Sequence, residues 1–234
     1  MRYNEVSNQS IPYQDVLNPI LWDDNHLKTN IRYRLLLIAR HFSQFLNVTK
    51  LQLKDITISG SNASYGYSEF SDIDLHLVVD ITDPNMVELF NAKKNQYNFK
   101  YDLTIKDITV EVYVQDSKQQ HISAGIYSIM NDTWIKEPKH APPKVSEQEV
   151  NQKARSYDSQ IDQALKSSKL SLAKDTLDDI VRLRKAGLDS GGEFSIENLA
   201  FKLLRTHGKI DKLRKHIDKL QSAALSLREN DNEN

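Results

Sequence analysis

Residues 60–80 read GSNASYGYSEFSDIDLHLVVD, and the two acids near the middle of this stretch decide how the chain folds and what it handles. A glycine–serine pair leads into a polar, aromatic-rich loop. Asp72 and Asp74 then stand one residue apart at the start of an apolar run. Ile73, Leu75 and Leu77 alternate with Asp72, Asp74 and His76, so the spacing predicts a strand with one apolar and one polar face. Side chains two apart on a strand lie about 7 Å from each other, and both carboxylates can then reach one cation. A surface hairpin that carries acids is the other reading open to these residues alone.

Working outward, LKDITISG (53–60) alternates Ile56 and Ile58 with Thr57 and Ser59 and predicts a strand that ends at Gly60 and Ser61. Residues 62–67 are expected to form a turn or short helix. Upstream, Ile31, Leu35, Ile38, Phe42, Phe45 and Leu46 recur every three or four residues, which predicts an amphipathic helix over 26–46. The first two dozen residues, with Pro12 and Pro19 around Leu17, Ile20, Leu21 and Trp22, are expected to pack on the domain as an arm. Downstream, a helix is expected after Pro84, and KYDLTIK and ITVEVYVQ predict a hairpin turning at Lys106–Asp107. In its second strand Val110, Val112 and Val114 share one face and Thr109, Glu111 and Tyr113 the other. AGIYSIM (124–130) predicts a further strand.

The prolines and charges of KEPKHAPPK (136–144) mark a boundary, because they continue neither strand nor helix. Beyond it the pattern is helical over 146–167, 171–186, 195–207 and 209–227. Gly187 and Gly208 fall where helix ends belong, and Ser195 where one begins. The tail LRENDNEN has the composition of a disordered segment. The expectation is thus an α/β (α+β) domain with a small mixed sheet over 1–145, and a helical bundle over 146–234.

A chain of 234 residues with 39% hydrophobic and 27% charged residues has the makeup of a folded, water-exposed protein. Its net charge of −1 leaves no global attraction for nucleic acid or anionic lipid, so any polyanion site must be local. The lack of cysteine excludes disulfides, thiolate metal sites and cysteine nucleophiles. The amino terminus has no apolar signal-like core, and no run reaches membrane-spanning length, so a cytoplasmic location is expected.

A third carboxylate from a neighbouring strand would complete a hard-oxygen site with Asp72 and Asp74. Glu111, opposite the valine face, is the main candidate and Asp102 in KYDLTIK the competitor. Three converging carboxylates repel one another unless a cation neutralises them. Two ions about 3.5–4 Å apart serve phosphoryl transfer in this way. Gly60 would let the backbone approach a phosphate, with Ser61 and the following amides binding its oxygens.

Gly60-Ser61, ten intervening residues and then Asp72-Ile73-Asp74 resemble the signature of the nucleotidyltransferase superfamily that includes polymerase β. The resemblance covers about residues 50–116. SDIDLHLVVD, with IENLAFKLLR downstream, is also similar to nucleotidyltransferases predicted in tailed bacteriophages, whose setting would be the host cytoplasm. The resemblance implies that Asp72, Asp74 and Glu111 bind two Mg2+ ions, or Mn2+, and that Gly60 and Ser61 bind the phosphates of an NTP. It implies transfer of a nucleoside monophosphate to an acceptor hydroxyl, an RNA 3′ end ahead of a protein or small molecule. The alternative it leaves is a non-catalytic nucleotide-binding or antitoxin-like regulatory module on the same fold.

Tyr65, with Tyr67 and Phe70, lies in the loop between the motif halves, where a ring either stacks on a base or packs the loop down. His76 either contacts a ligand or bonds to a carboxylate or loop amide. Lys202 and Arg205 share a helix face and match the basic side chains that a helical domain offers to a triphosphate in similar enzymes. Lys209, Lys212, Arg214 and Lys215, interrupted by Asp211 and Asp218, are expected to form a solvated face. Trp134 is expected to be an anchor without chemistry.

Overall fold

The alternation over residues 73–79 folds as the sequence predicts, and the rest of the first unit is arranged around it. A computed structural model describes residues 13–48, 51–119, 122–142 and 144–226. They form an α+β structure in two compact units that divide between residues 142 and 143.

In the first unit a hairpin of β1 (Trp22–Asp23) and β2 (His26–Leu27) precedes α1 (Thr29–Leu46). The helix therefore starts later than its apolar spacing suggested. Asp24 takes a left-handed turn conformation with φ 49°, and Trp22 pairs with Leu27, which puts residue 26 into the hairpin. Leu17, Leu21 and Trp22 are buried in the main core, so the described part of the arm belongs to it. Residues 1–12 and the tail 227–234 lie outside the described residues.

The sheet is mixed and six-stranded. It contains β3 (Leu53–Ser59), β4 (Ile73–Val79), β5 (Thr104–Ile105), β6 (Ile108–Asp116), β7 (Ile126–Ser128) and β8 (Thr133–Lys136), in the order β5-β6-β4-β3-β7-β8. β4 runs antiparallel to β3 and parallel to β6. The crossover between the parallel strands includes α2 (Asn85–Lys100), as parallel pairs require. Ile73, Leu75, Leu77 and Val79 are fully buried in one cluster with Ile31, Leu35 and Phe42 of α1 and Phe90 and Tyr97 of α2. On β3, Thr57 and Ser59 are as buried as Ile56 and Ile58, so both faces of that strand are covered.

The hairpin turn lies at Lys106 and Asp107, with φ values of 51° and 65° that match the twist of the strands it joins. Past the short β5, the side-chain amide of Asn98 on α2 donates to the Val112 carbonyl and accepts from the Val112 amide, at 3.2 and 3.1 Å. β8 was not expected from the sequence. It forms around Trp134, whose ring stacks on Trp22 at 4.7 Å.

The second unit holds α3 (Glu147–Lys166), α4 (Leu170–Gly191), α5 (Ile196–Thr206) and α6 (Lys209–Leu225). Ser146 and Glu149 close a reciprocal capping box at the start of α3. Gly187 does not end α4, which runs on to Gly191. A β-carbon at Gly187 would lie 2.8 Å from Glu197 Cβ and 2.9 Å from Ser195 Oγ, so this glycine lets the α5 entry pack close. Gly208, at φ 67°, does separate α5 from α6. Lys209 departs from the expected solvated face: it is buried, with its ammonium 2.6 Å from Asp158 and 3.3 Å from Asp162 of α3. Burial pulls its pKa down, but the two carboxylates outweigh burial and leave it raised. No helix among the described residues is long and apolar enough to cross a membrane.

Removing one partner of a partly buried ion cluster strands the others, so Lys209→Ala is expected to lower unfolding stability by about 1–3 kcal/mol. Urea denaturation followed by circular dichroism measures this, and a variant as stable as the parent would show that the cluster adds nothing.

Candidate functional site

Strand register places the sequence motif as rows across the polar face of the sheet. Ser59 pairs with Asp74, and Asp74 pairs with Glu111 across the parallel ladder, so these three residues form one row. Neighbouring strands lie about 4.8 Å apart, which sets the Asp74 and Glu111 backbones side by side. Thr57, His76 and Tyr113 form the next row. Asp72 stands just before β4 begins, half-buried at the same end of the sheet. Asp102 lies outside β5 and is exposed.

Gly60 follows β3 with φ 75°, a conformation that disfavours side chains. A β-carbon there would lie 2.0 Å from Asp74 Oδ2. The glycine therefore brings backbone and carboxylate together, which ties the two halves of the motif in space. Its amide donates to Ser123 Oγ at 3.1 Å. Ser61 opens a single turn of 3-10 helix (Ser61–Ala63), and its carbonyl accepts from the Ser64 amide.

Asn62, a residue that sequence reasoning passed over, holds the loop shut. It is 1% exposed. Its side-chain nitrogen donates to the carbonyls of Ser71 and Asp72 at 3.1 and 2.9 Å. Its side-chain oxygen accepts from Asn18 at 2.8 Å, and its carbonyl from the Trp22 indole at 2.7 Å. The excursion from Ser61 to Asp72 is thus pinned at its base to the segment before α1. The only sequence signal was an asparagine directly after Gly-Ser, and its partners Trp22 and Asn18 lie 40 and 44 residues away in the chain.

The Tyr113 hydroxyl donates to Glu111 Oε2 in a short hydrogen bond. Burial first, then the charges of Asp74, Glu111 and Asp72, push this hydroxyl far above the ordinary tyrosine range. All three acids therefore act on one phenol. His76 Nε2 lies 3.1 Å from Ser59 Oγ, and the imidazole stacks on the Tyr113 ring at 4.9 Å. Both of these contacts are with strand residues, Ser59 of β3 and Tyr113 of β6.

Register sets the Asp74 and Glu111 backbones side by side, with Asp72 just before the strand. Among the described residues no three His, Asp or Glu side chains are gathered to hold a metal ion. Asp74 is turned against Gly60, and one oxygen of Glu111 is engaged by Tyr113. The donor set itself suits a hard divalent cation, since Asp74 and Glu111 offer carboxylate oxygens in direct register with Asp72 adjoining. Tyr65 is engaged elsewhere: its ring meets His140 edge-on at 4.8 Å and Tyr13 at 6.4 Å, and its carbonyl accepts from the Gln14 amide. This is the loop-packing alternative. Lys202, half-buried, and Arg205, exposed, stand on α5 of the helical unit.

The chain matches no protein-family model, no curated protein and no solved structure at a significant level.

Asn62→Ala would strip partners from two loop carbonyls and from Asn18, and buried groups left unpaired cost about 1–3 kcal/mol. The expected outcome is a loss of about 2–3 kcal/mol in urea unfolding. A loss under about 0.5 kcal/mol, the range of an ordinary surface change, would show that the loop is held by other means.

Proposed function

We propose that the first unit is a nucleotidyltransferase domain of the polymerase β-like kind, which moves a nucleoside monophosphate from an NTP to an acceptor hydroxyl. One observation carries the reading: Asp74 lies in register with Glu111 on one side, while the Gly60 backbone folds against its carboxylate on the other. A phosphate turn and an acidic ledge in direct contact are what the reaction needs at its donor end.

Asp72, Asp74 and Glu111 would hold Mg2+ or Mn2+, which when bound offsets the charge on the triphosphate and on the attacking oxygen. Gly60 admits the β- and γ-phosphates close to the main chain, and Ser61 binds them with its hydroxyl and amide. The acceptor oxygen forms a bond to the α-phosphorus as the bond to the bridging oxygen breaks, and pyrophosphate leaves with that electron pair. Glu111 assists in taking the acceptor proton. An RNA 3′ hydroxyl is the acceptor we favour.

A second reading is a nucleotide-binding or regulatory module without turnover. Among the described residues no three His, Asp or Glu side chains are gathered to hold an ion, which favours it.

Purified protein incubated with each labelled NTP, Mg2+ and RNA, protein or metabolite extract should label one acceptor class. Asp74→Ala should abolish labelling, by at least about a hundredfold for loss of a charge-stabilising group, with an unchanged circular dichroism spectrum. Binding of NTP without product would support the second reading, and full activity in Asp74→Ala would refute the assignment of that residue.

A further inference from the structure

The second row of the polar face supports the first. Tyr113 follows Glu111 by two residues on β6, so both side chains leave the sheet on one face. Two contacts fix the ring that carries its hydroxyl. His76, its register partner on β4, lies nearly parallel to it at 18°, and the Lys94 ammonium of α2 sits 4.8 Å from the ring centre. His76 is itself tied to Ser59 through Nε2. A phenol has few rotatable bonds, and one packed in this way keeps its hydroxyl in place. Glu111, with three rotatable bonds of its own, is then restrained through Oε2.

We infer that Tyr113 is a positioning residue that holds Glu111 by one oxygen and leaves Oε1 available beside Asp74 for a divalent cation. This rests on the reading of Glu111 as a metal-binding acid. Groups that orient metal ligands from behind typically change affinity by about ten- to a hundredfold when removed. Repulsion between neighbouring carboxylates would otherwise swing a flexible glutamate away from Asp74 in the absence of an ion. The hydroxyl bond opposes that swing.

The test is Mn2+ titration of the full chain, with free ion followed by electron paramagnetic resonance. The proteins are the parent, Tyr113→Phe, Glu111→Gln, the double variant and Asp74→Ala. Phenylalanine keeps the ring and its contacts and removes only the hydroxyl. Tyr113→Phe should weaken Mn2+ binding on the order of tenfold, and should have no further effect once Glu111 is glutamine. A purely structural tyrosine would lower unfolding stability in both backgrounds without changing the Mn2+ dissociation constant. Tyr113→Phe that binds Mn2+ as tightly as the parent, or more tightly, overturns the role of Tyr113 alone, provided parent binding depends on Asp74. A parent that binds no Mn2+, or binds it independently of Asp74, overturns the metal reading of the site and this inference with it.

Discussion

Parallel strands cannot be joined by a tight turn, and the pairing of β4 with β6 is the constraint on which the first unit depends. The chain leaves β4, forms α2 and returns through the short hairpin before β6 can align with it. Once aligned, alternation does the rest. Ile73, Leu75 and Leu77 enter the core with Val110 and Val112, and every polar residue between them must emerge on the other face. A slip of one residue would bury Asp74 and Glu111 in hydrocarbon. The apolar face therefore fixes the register, and the register brings the acids together.

That division explains what could be read directly from the chain. The β4 alternation and the Lys106–Asp107 turn are local patterns, and both are present as expected. The row Ser59–Asp74–Glu111 takes three strands and two pairings, so Asp74 and Glu111 were legible as candidates while their alignment with Ser59 was not. Asn62 was invisible because its meaning lies in Asn18, Trp22, Ser71 and Asp72. Gly187 looked like a helix end because periodicity does not report how closely the next helix approaches. Lys209 sat in a run of charges, and only the packing of α3 makes it a buried partner.

The polar face is neither core nor open surface, and this middle state gives it its chemistry. Its ionisable residues Asp72, Asp74, His76, Glu111 and Tyr113 are half-buried, so charges there interact more strongly than in water. Tyr113 registers that environment, with burial and three acids all acting against its ionisation. The same surroundings strengthen hydrogen bonds that spread the negative charge. The hydrogen bond from Tyr113 to Glu111 is of this kind.

The Asn98 amide on Val112 has a consequence for the chain among other chains. An open strand edge is a template, because its unpaired amides and carbonyls can recruit any extended segment that passes. Here β5 pairs with β6 only at Ile108 and Thr109 and the Leu103 carbonyl accepts from the Val110 amide, so among the described residues no strand pairs with β6 beyond that point on this side. Asn98 answers both the donor and the acceptor of Val112, much as a single residue of a further strand would. One side chain from a helix thus works as a stopper against sheet-to-sheet aggregation, on the strand that carries Glu111.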